Sequence, residues 1–260
     1  MWQDVRLLNA TANTLFGLVA LAIVASCLWW VAQRPYFTLK VIRVEASQHE
    51  PLRHINPLTV RSAALAKIKG NFFTANLDTV RQTFESVPWV RKATVRRSWP
   101  NQLIVTVEEY TPLGTWGDDG RLLSDKGEVF VANLAEAEED ANLLTFDGPI
   151  GSEKEVVARW QDLNNWFAPL KLSAESLSLS ERYAWTVRLS NGVTVELGRE
   201  KTPSMLKDRV DRLVAVYPQL VALLQDRIEN IDMRYPNGLA LTAQGLTIGP
   251  NGKKKANGKT

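Results

Sequence analysis

Residues 95–116 read VRRSWPNQLIVTVEEYTPLGTW and contain the end of one β-strand, a turn and a complete second strand. Leu103, Val105 and Val107 lie at every second position, so they share one face of the second strand. The tetrapeptide Ser-Trp-Pro-Asn at residues 98–101 has the composition of a turn. We therefore predict two strands, residues 90–97 and 103–109, joined by this turn.

The residues before this hairpin predict the rest of a small domain. Residues 37–45 alternate as a strand does, and Asn56 followed by Pro57 predicts a helix that runs to about residue 67 and stops at Gly70. Asn76 is placed to cap a second helix that ends before Pro88. The apolar face of this second helix carries Leu77, Val80, Phe84 and Val87.

This order of strand, helix, helix, strand and strand predicts an α+β domain over residues 37–109. Two helices on one face of a three-stranded sheet would bury the apolar faces of all five elements.

Residues 110–248 predict a second module, a mixed β domain with flanking helices. Ser152 caps one helix, whose buried face carries Val156, Trp160, Leu163 and Phe167, and Thr202-Pro203 opens another. Ser190-Asn191-Gly192 is a strong hairpin turn signal between two short strands. The second of these helices presents Leu206, Val210, Leu213 and Tyr217 on one face.

The last strands of this module follow that helix. Ile228, Met233 and Tyr235 fall in one strand, residues 236–238 turn, and residues 239–242 return as the final strand. Because the ordered chain is predicted to end soon afterwards, we expect the final strand to lie at a sheet edge, where a partner strand could pair with it.

Residues 15–32 read LFGLVALAIVASCLWWVA, without a charge. At 1.5 Å per residue they form roughly 27 Å of helix, which matches the hydrocarbon core of a bilayer. Trp29 and Trp30 lie where a cleaved signal peptide needs small residues, and they suit a membrane interface. We predict a transmembrane helix over residues 12–33 after a short tail, residues 1–11. The basic residues on the two sides do not by themselves orient it.

The net charge of +3 is unevenly distributed along the chain. Residues 35–110 carry +5, residues 111–248 carry −7, and the last twelve residues carry +4. Such asymmetry indicates separate modules. Residues 249–260 are rich in Gly, Asn and Lys and are predicted to be a disordered basic tail.

The sequence offers no catalytic or metal-binding motif. It lacks a phosphate-binding loop, a nucleophile elbow and an H-E-x-x-H helix. Cys27 is the single cysteine, and we interpret His49 and His54 as solvated loop residues. We therefore predict a non-enzymatic protein without a cofactor, a metal, a small-molecule substrate or nucleic acid. We interpret as core residues the tryptophans at positions 89, 99, 116, 160, 166 and 185.

The stretch at residues 95–116 closely resembles the end of the POTRA domain in the FtsQ/DivIB cell-division family: Arg-x-Trp-Pro, an alternating strand, then Glu-Tyr-x-Pro and a Trp. Three further stretches agree, namely Gly70-Asn71-Phe72-Phe73, Val87-Pro88-Trp89-Val90, and IDMRYPNG at residues 231–238. The resemblance runs from the apolar segment to about residue 245, and the Trp-Pro form is similar to the FtsQ of Gram-negative bacteria.

The resemblance implies a bitopic inner-membrane protein of the divisome, concentrated at the division septum, with a cytoplasmic N-terminus and a periplasmic C-terminus. Members of the family carry a POTRA domain followed by a β domain. They bind the FtsB–FtsL pair through the β domain, contact other divisome proteins through the POTRA domain and the transmembrane segment, link early to late division proteins and help control septal peptidoglycan synthesis.

In the family, FtsB adds a strand to the last strand of the β domain, which agrees with the edge predicted above. Alternation with Ile231 and Met233 would instead place Tyr235 in the core, so two interpretations of that residue stay open. The alternative function is a POTRA-containing chaperone or transport component of the cell envelope. By motif match, the implied partner-binding residues are Arg182, Arg234, Tyr235, Gly238, Leu239, Ala240 and Leu241.

Overall fold

The computed structural model describes residues 5–39, 41–47, 52–56, 71–140, 142–224, 227–236 and 238–244. The chain is an α+β protein that divides into two compact units, Met1–Tyr110 and Thr111–Thr260. Three predicted features lie outside the described residues: the helix after Pro57, the loop residue His49 and the basic tail at 249–260.

The chain begins with a long apolar helix, α1 (Val5–Ala32). Its segment Asn9–Ala32 has 24 residues and is long and apolar enough to cross a membrane, and its most apolar 18-residue window is not buried against the described part of the chain. The helix is apolar on every side, as a helix surrounded by lipid should be. It starts before the predicted span because residues 5–11 contain no Gly or Pro that would end it. This single N-terminal helix fits a single-pass membrane protein.

The described residues in the rest of the first unit form a small α+β domain. Its strands form a three-stranded sheet in the order β1-β3-β2, with β3 parallel to β1 and antiparallel to β2. The helix α2 packs against β2. The described elements of this domain are β1 (Val41–Ala46), α2 (Leu77–Glu85), β2 (Val90–Ser98) and β3 (Gln102–Glu109).

The core of this small domain confirms the predicted periodicities. Leu103, Val105 and Val107 on β3 are buried, as are Val80 and Phe84 on α2. Asn76 caps α2 as predicted, because its Oδ1 accepts hydrogen bonds from the N–H groups of the second and third helical residues at 2.9 and 3.2 Å.

Two details of the small domain differ from prediction. β1 starts at Val41 and not at residue 37, because residues 35–37 form a 3₁₀ turn and Thr38 makes an isolated bridge to Asn71. Trp99 is not a core residue: it lies in the β2–β3 turn and is 70% exposed.

The second unit contains a nine-stranded mixed sheet in the order β12-β11-β10-β9-β8-β7-β4-β5-β6. The strands are β4 (Pro112–Trp116), β5 (Arg121–Ser124), β6 (Val129–Phe130), β7 (Leu144–Asp147), β8 (Ala174–Leu179), β9 (Ala184–Leu189), β10 (Thr194–Arg199), β11 (Ile228–Asp232) and β12 (Ala240–Ala243). The helices are α3 (Leu134–Asp140), α4 (Glu153–Phe167) and α5 (Met205–Leu224).

Two long helices cover one face of this sheet. α4 contacts β8, α5 contacts β10, and the helices contact each other, so they lie side by side. On α5, Leu206, Val210, Leu213 and Tyr217 are all buried, which confirms the predicted helical face. The core between helices and sheet fixes the positions of β10 and β11, and thereby of the strand that follows them.

The boundaries of several elements differ from prediction. α5 starts at Met205, two residues after Pro203, and the hydroxyl of Ser152 donates to the carbonyl of Pro149 and does not cap α4. Met233 and Tyr235 lie beyond the end of β11 because the chain turns after Asp232. The predicted edge position of the last strand is confirmed: β12 is the first strand in the sheet order.

Candidate functional site

The backbone of β12 forms one side of the sheet, and among the described residues no strand lies on its outer side. β12 pairs with β11 antiparallel, and the N–H of Gln244 donates to the carbonyl of Arg227 at 2.8 Å. Because N–H directions alternate along a strand, those of Thr242 and Ala240 also point to β11. The N–H groups of Leu241 and Ala243 therefore point outward, available to an added strand.

The side chains of β12 divide between two faces. Leu239, Leu241 and Ala243 pack against the core of the second unit, whereas Ala240 and Thr242 are exposed. The strand contains no proline or charged residue, which are common devices against edge pairing. Its four residues thus present a short, uncharged edge.

Arg234 follows β11 at the same edge and pairs with two carboxylates. Its Nε and Nη2 donate to Oδ1 and Oδ2 of Asp232 at 2.9 and 2.6 Å, which makes the contact bidentate. Nη2 also lies 3.0 Å from Oε2 of Glu196. The Arg234 side chain remains more than half exposed, so it is accessible to solvent while its guanidinium is held in place.

The sheet register brings the two carboxylates together. Glu196 and Asp232 are paired positions of the parallel strands β10 and β11. Asn230 donates from Nδ2 to Oε1 of Glu196 at 3.0 Å, which orients that carboxylate toward Arg234. Gly198 makes room for the arginine stem, because a Cβ at this residue would lie 2.7 Å from Cγ of Arg234.

Arg234 changes the titration of its neighbour. Its side-chain hydrogen bond, followed by its backbone hydrogen bond and its charge, lowers the pKa of Asp232 despite the opposing effect of partial burial. The pKa of Arg234 is raised, first by the hydrogen bond to Asp232 and then by the charges of Asp232 and Glu196.

The lowered pKa of Asp232 predicts a pH effect. A depressed carboxylate pKa contributes stability that is complete above the unfolded-state pKa, about 3.9, and is lost as the pH falls through the lower folded-state value. We expect Asp232→Asn to reduce the loss of thermal stability between pH 6 and pH 3. Thermal unfolding of the full chain in detergent measures this pH dependence of stability. The control is Glu175→Gln, because Glu175 is an exposed carboxylate on β8. Identical acid profiles for wild type and Asp232→Asn would contradict the assignment.

Two arginines of α5 bind main-chain carbonyls at the end of the sheet that carries Arg234. Arg212 donates to the carbonyls of Pro236 and Tyr235. Arg209 donates to the carbonyls of Leu197 and Arg199 at the end of β10. Burial, and secondarily the charge of Arg212, lowers the pKa of Arg209. Neither residue was predicted from the sequence as part of the site. The sequence shows that both arginines lie on one helix. It does not show which carbonyls they bind, because those carbonyls belong to other elements.

The structure decides between the two interpretations of Tyr235. Ile231 and Met233 are buried at 0% and 1%, but the Tyr235 side chain is 55% exposed. The strand alternation ends because β11 ends at Asp232 and the chain bends at Tyr235. Tyr235 is therefore a surface residue beside Arg234, and the core interpretation is wrong.

The remaining predicted site residues fall at or near the same end of the sheet. Gly238 is exposed and Leu239 is half-buried just before β12. Arg182 is exposed in the turn between β8 and β9. Ala184 pairs with Arg199 at the end of β10, so this turn and Arg234 share one end of the sheet, with β9 and β10 between them.

The loop histidine of the small N-terminal α+β domain differs from prediction. His54 is half-buried and stacks on the indole of Trp89, with ring centroids 3.8 Å apart and 12° between the planes. Glu109 holds this loop by accepting the N–H groups of Arg53 and Ile55 at 3.0 and 2.9 Å. The interpretation of His54 as a solvated residue is therefore wrong. Within the described ranges, no group of three or more His, Cys, Asp or Glu could hold a metal ion.

Comparison with known proteins identifies the family. The family profile described as "Cell division protein FtsQ/DivIB, C-terminal" matches residues 114–234, and that described as "POTRA domain, FtsQ-type" matches residues 50–110. Several proteins named "Cell division protein FtsQ" are similar to this chain over almost their full length. The one from Burkholderia pseudomallei is 51% identical over 257 residues, 98% of this chain and 100% of the relative.

The FtsQ of Bordetella pertussis is 43% identical over 253 residues, 93% of this chain and 92% of the relative. That of Nitrosospira multiformis is 37% identical over 241 residues, 92% of this chain and 98% of the relative. Both domain profiles and full-length similarity agree with the architecture of a single apolar helix, a POTRA domain and a mixed β domain. The chain therefore belongs to the FtsQ/DivIB family of cell-division proteins.

Proposed function

We propose that this protein is a non-enzymatic scaffold of the divisome that binds an FtsB–FtsL pair by strand addition to β12. Through this contact, and through others made by its POTRA domain and transmembrane helix, it links early to late division proteins and helps control septal peptidoglycan synthesis. The observation that carries the proposal is the position of β12 at the edge of the sheet, with outward N–H groups at Leu241 and Ala243.

The proposed topology follows from the same family. Residues 1–11 lie in the cytoplasm and residues 12–33 cross the inner membrane. Residues 37–109 and 110–248 form two periplasmic domains. The protein concentrates at the division septum, where its partners act.

The chemistry of the edge fits an acidic or hydrogen-bonding segment that follows the added strand. Arg234 is held by Asp232 and Glu196 but keeps more than half of its surface exposed, so a partner carboxylate could share the guanidinium without reorganising it. Tyr235 provides an exposed aromatic ring beside it, and Tyr and Arg are enriched where interfaces derive most of their binding energy. Arg182 extends the basic surface along the same end of the sheet.

The proposal predicts that Arg234→Glu combined with Tyr235→Ala weakens capture of the FtsB–FtsL pair by about tenfold or more, because both side chains lie at the proposed contact. Binding of the full chain in nanodiscs to the purified pair measures this. Tyr235→Ala is also tested alone, because charge reversal at Arg234 repels Asp232 and Glu196 and could disturb the end of β11.

Leu223→Ala provides the matched control for this experiment. Leu223 is an exposed apolar side chain at the end of α5, which leads into the opposite end of β11. We expect its removal to leave binding unchanged. If the folded double variant captures the pair with full affinity, the assignment of Arg234 and Tyr235 as contact residues is wrong.

A further inference from the structure

Exposed aromatic side chains cluster on the POTRA domain next to the end of α1. We call Tyr36, Phe73 and Trp99 the aromatic rim. They are 57%, 52% and 70% exposed, whereas large aromatic side chains are on average mostly buried. They come from separate segments: the turn after α1, the loop before α2 and the β2–β3 turn.

The sheet register places these segments at one end of the domain. Val41, the first residue of β1, pairs with Gln102, the first residue of β3. The β2–β3 turn therefore lies beside the start of β1, which follows α1 closely in the chain. The rings of Tyr36 and Trp99 lie 6.3 Å apart between centroids, and those of Phe37 and Phe73 lie 5.0 Å apart.

Hydrogen bonds fasten the Phe73 loop to the last turn of α1. Asn71 donates from Nδ2 to the carbonyl of Ala32 at 2.9 Å, while its Oδ1 accepts the N–H groups of Phe73 and Thr74. The N–H of Phe72 donates to the carbonyl of Phe37 at 2.8 Å. These bonds hold the aromatic rim at the level where the apolar helix ends.

Arg97 fastens the same loop to the sheet. Its Nε donates to the carbonyl of Phe72 at 2.8 Å and its Nη2 to that of Ala75 at 2.9 Å. The loop that carries Phe73 is thus bonded on one side to α1 and on the other to β2. The hydrogen bonds therefore hold the Phe73 loop in a conformation in which the aromatic rim is exposed.

The surroundings of the aromatic rim match a lipid headgroup region. Trp29 and Trp30 at the end of α1 are exposed as well, and the guanidinium carbon of Arg34 lies 3.4 Å from the centroid of the Trp30 ring. Tryptophan and tyrosine prefer the boundary between hydrocarbon and water, and arginine pairs with phosphate there. The sequence from 35 to 110 carries a net charge of +5, which favours an anionic membrane surface.

We infer that the aromatic rim inserts into the headgroup region of the bilayer leaflet in which α1 ends, so that the POTRA domain rests on the membrane by a second contact besides its helix. The aromatic rim is covered by lipid and not by another protein, because hydrogen bonds tie it to the last turn of α1. A surface bonded to the end of a membrane helix faces that membrane. This contact sets the orientation of the POTRA domain toward its partners, and it is independent of the edge at β12.

Site-directed spin labelling of the full chain tests the inference. Cys27→Ser removes the native thiol, and nitroxides are attached after Trp99→Cys, Phe73→Cys or Lys92→Cys in separate variants. The control Lys92 is exposed on β2, about 20 Å from Ser98 at ~3.3 Å per strand residue. The protein is reconstituted into vesicles of phosphatidylethanolamine and phosphatidylglycerol, and collision rates with oxygen and with a water-soluble nickel chelate are measured.

The labels at positions 99 and 73 should collide several-fold less often with the nickel chelate than the label at position 92, and more often with oxygen. Equal nickel accessibility at positions 99 and 92 would overturn the inference. Shielding of position 99 that appears only when other division proteins are added would also overturn it, because the occupant would then be a protein and not lipid.

Discussion

Replacing Leu241 with proline should weaken capture of the FtsB–FtsL pair by about tenfold or more, because a lost interfacial hydrogen bond costs about 1 kcal/mol and the proline ring also obstructs the incoming backbone. The N–H of Leu241 points away from β11, so its removal leaves the β11–β12 ladder intact. Thermal unfolding of the variant should therefore show only the modest cost of a smaller, partly buried side chain. Titration of the full chain in nanodiscs with the purified pair gives the affinity.

Leu241→Ala is the matched control, because it removes most of the same side chain and keeps the N–H group. If binding depends on the edge hydrogen bond, Leu241→Ala should bind much better than Leu241→Pro. Equal losses in the two variants would assign the effect to side-chain packing. Full affinity of a folded Leu241→Pro protein would refute strand addition at β12.

Gly114→Ala should destabilise the second unit by about 3 kcal/mol, at the upper end of the range for overpacked cores. Gly114 on β4 pairs with Leu144 on the parallel strand β7. A Cβ at Gly114 would lie 2.2 Å from the Leu144 carbonyl oxygen and 2.9 Å from Cε2 of Phe146, a fully buried ring. The closest atom is backbone, so it cannot rotate away, and β4 and β7 must separate. Urea unfolding monitored by tryptophan fluorescence measures the change.

The same substitution in open space provides the control for Gly114. Gly238 precedes β12, is exposed, and has nothing within 4 Å of a Cβ placed on it. Gly238→Ala should change the stability by no more than about 0.5 kcal/mol, as is usual for surface sites. Similar unfolding curves for Gly114→Ala and wild type would show that β4 and β7 do not approach as closely as described.

Regular periodicity made much of the fold predictable from sequence. Two patterns predicted buried faces that the structure confirms. They are the alternation of Leu103, Val105 and Val107 and the helical spacing of Leu206, Val210 and Leu213. Elements were misplaced where the chain leaves a regular element. Trp99 and Tyr235 were assigned to the core, wholly or as one alternative, and both lie in turns, where periodicity carries no information about burial.

The candidate site was only partly predictable for a related reason. Motif resemblance indicated Arg234 and Tyr235, but not that Asp232 and Glu196 hold the guanidinium. Glu196 is far from Arg234 along the chain, and only the parallel register of β10 and β11 places it beside Asp232. Arg212 on α5 likewise binds the turn after β11 through main-chain carbonyls. Because every residue has such a carbonyl, the sequence gives no signal for this contact.

The sequence by itself determined the apolar helix, the order of the elements, the family and the presence of a final short strand, because these depend on composition, local periodicity and motifs. The edge position of that strand was also expected from the sequence. Only the tertiary structure decided that the N–H groups of Leu241 and Ala243 point outward from β12, that Arg234 is held by two carboxylates, and that Tyr36, Phe73 and Trp99 gather beside α1. Strand order and register follow from burying several distant segments in one core, and no local stretch of sequence records that arrangement.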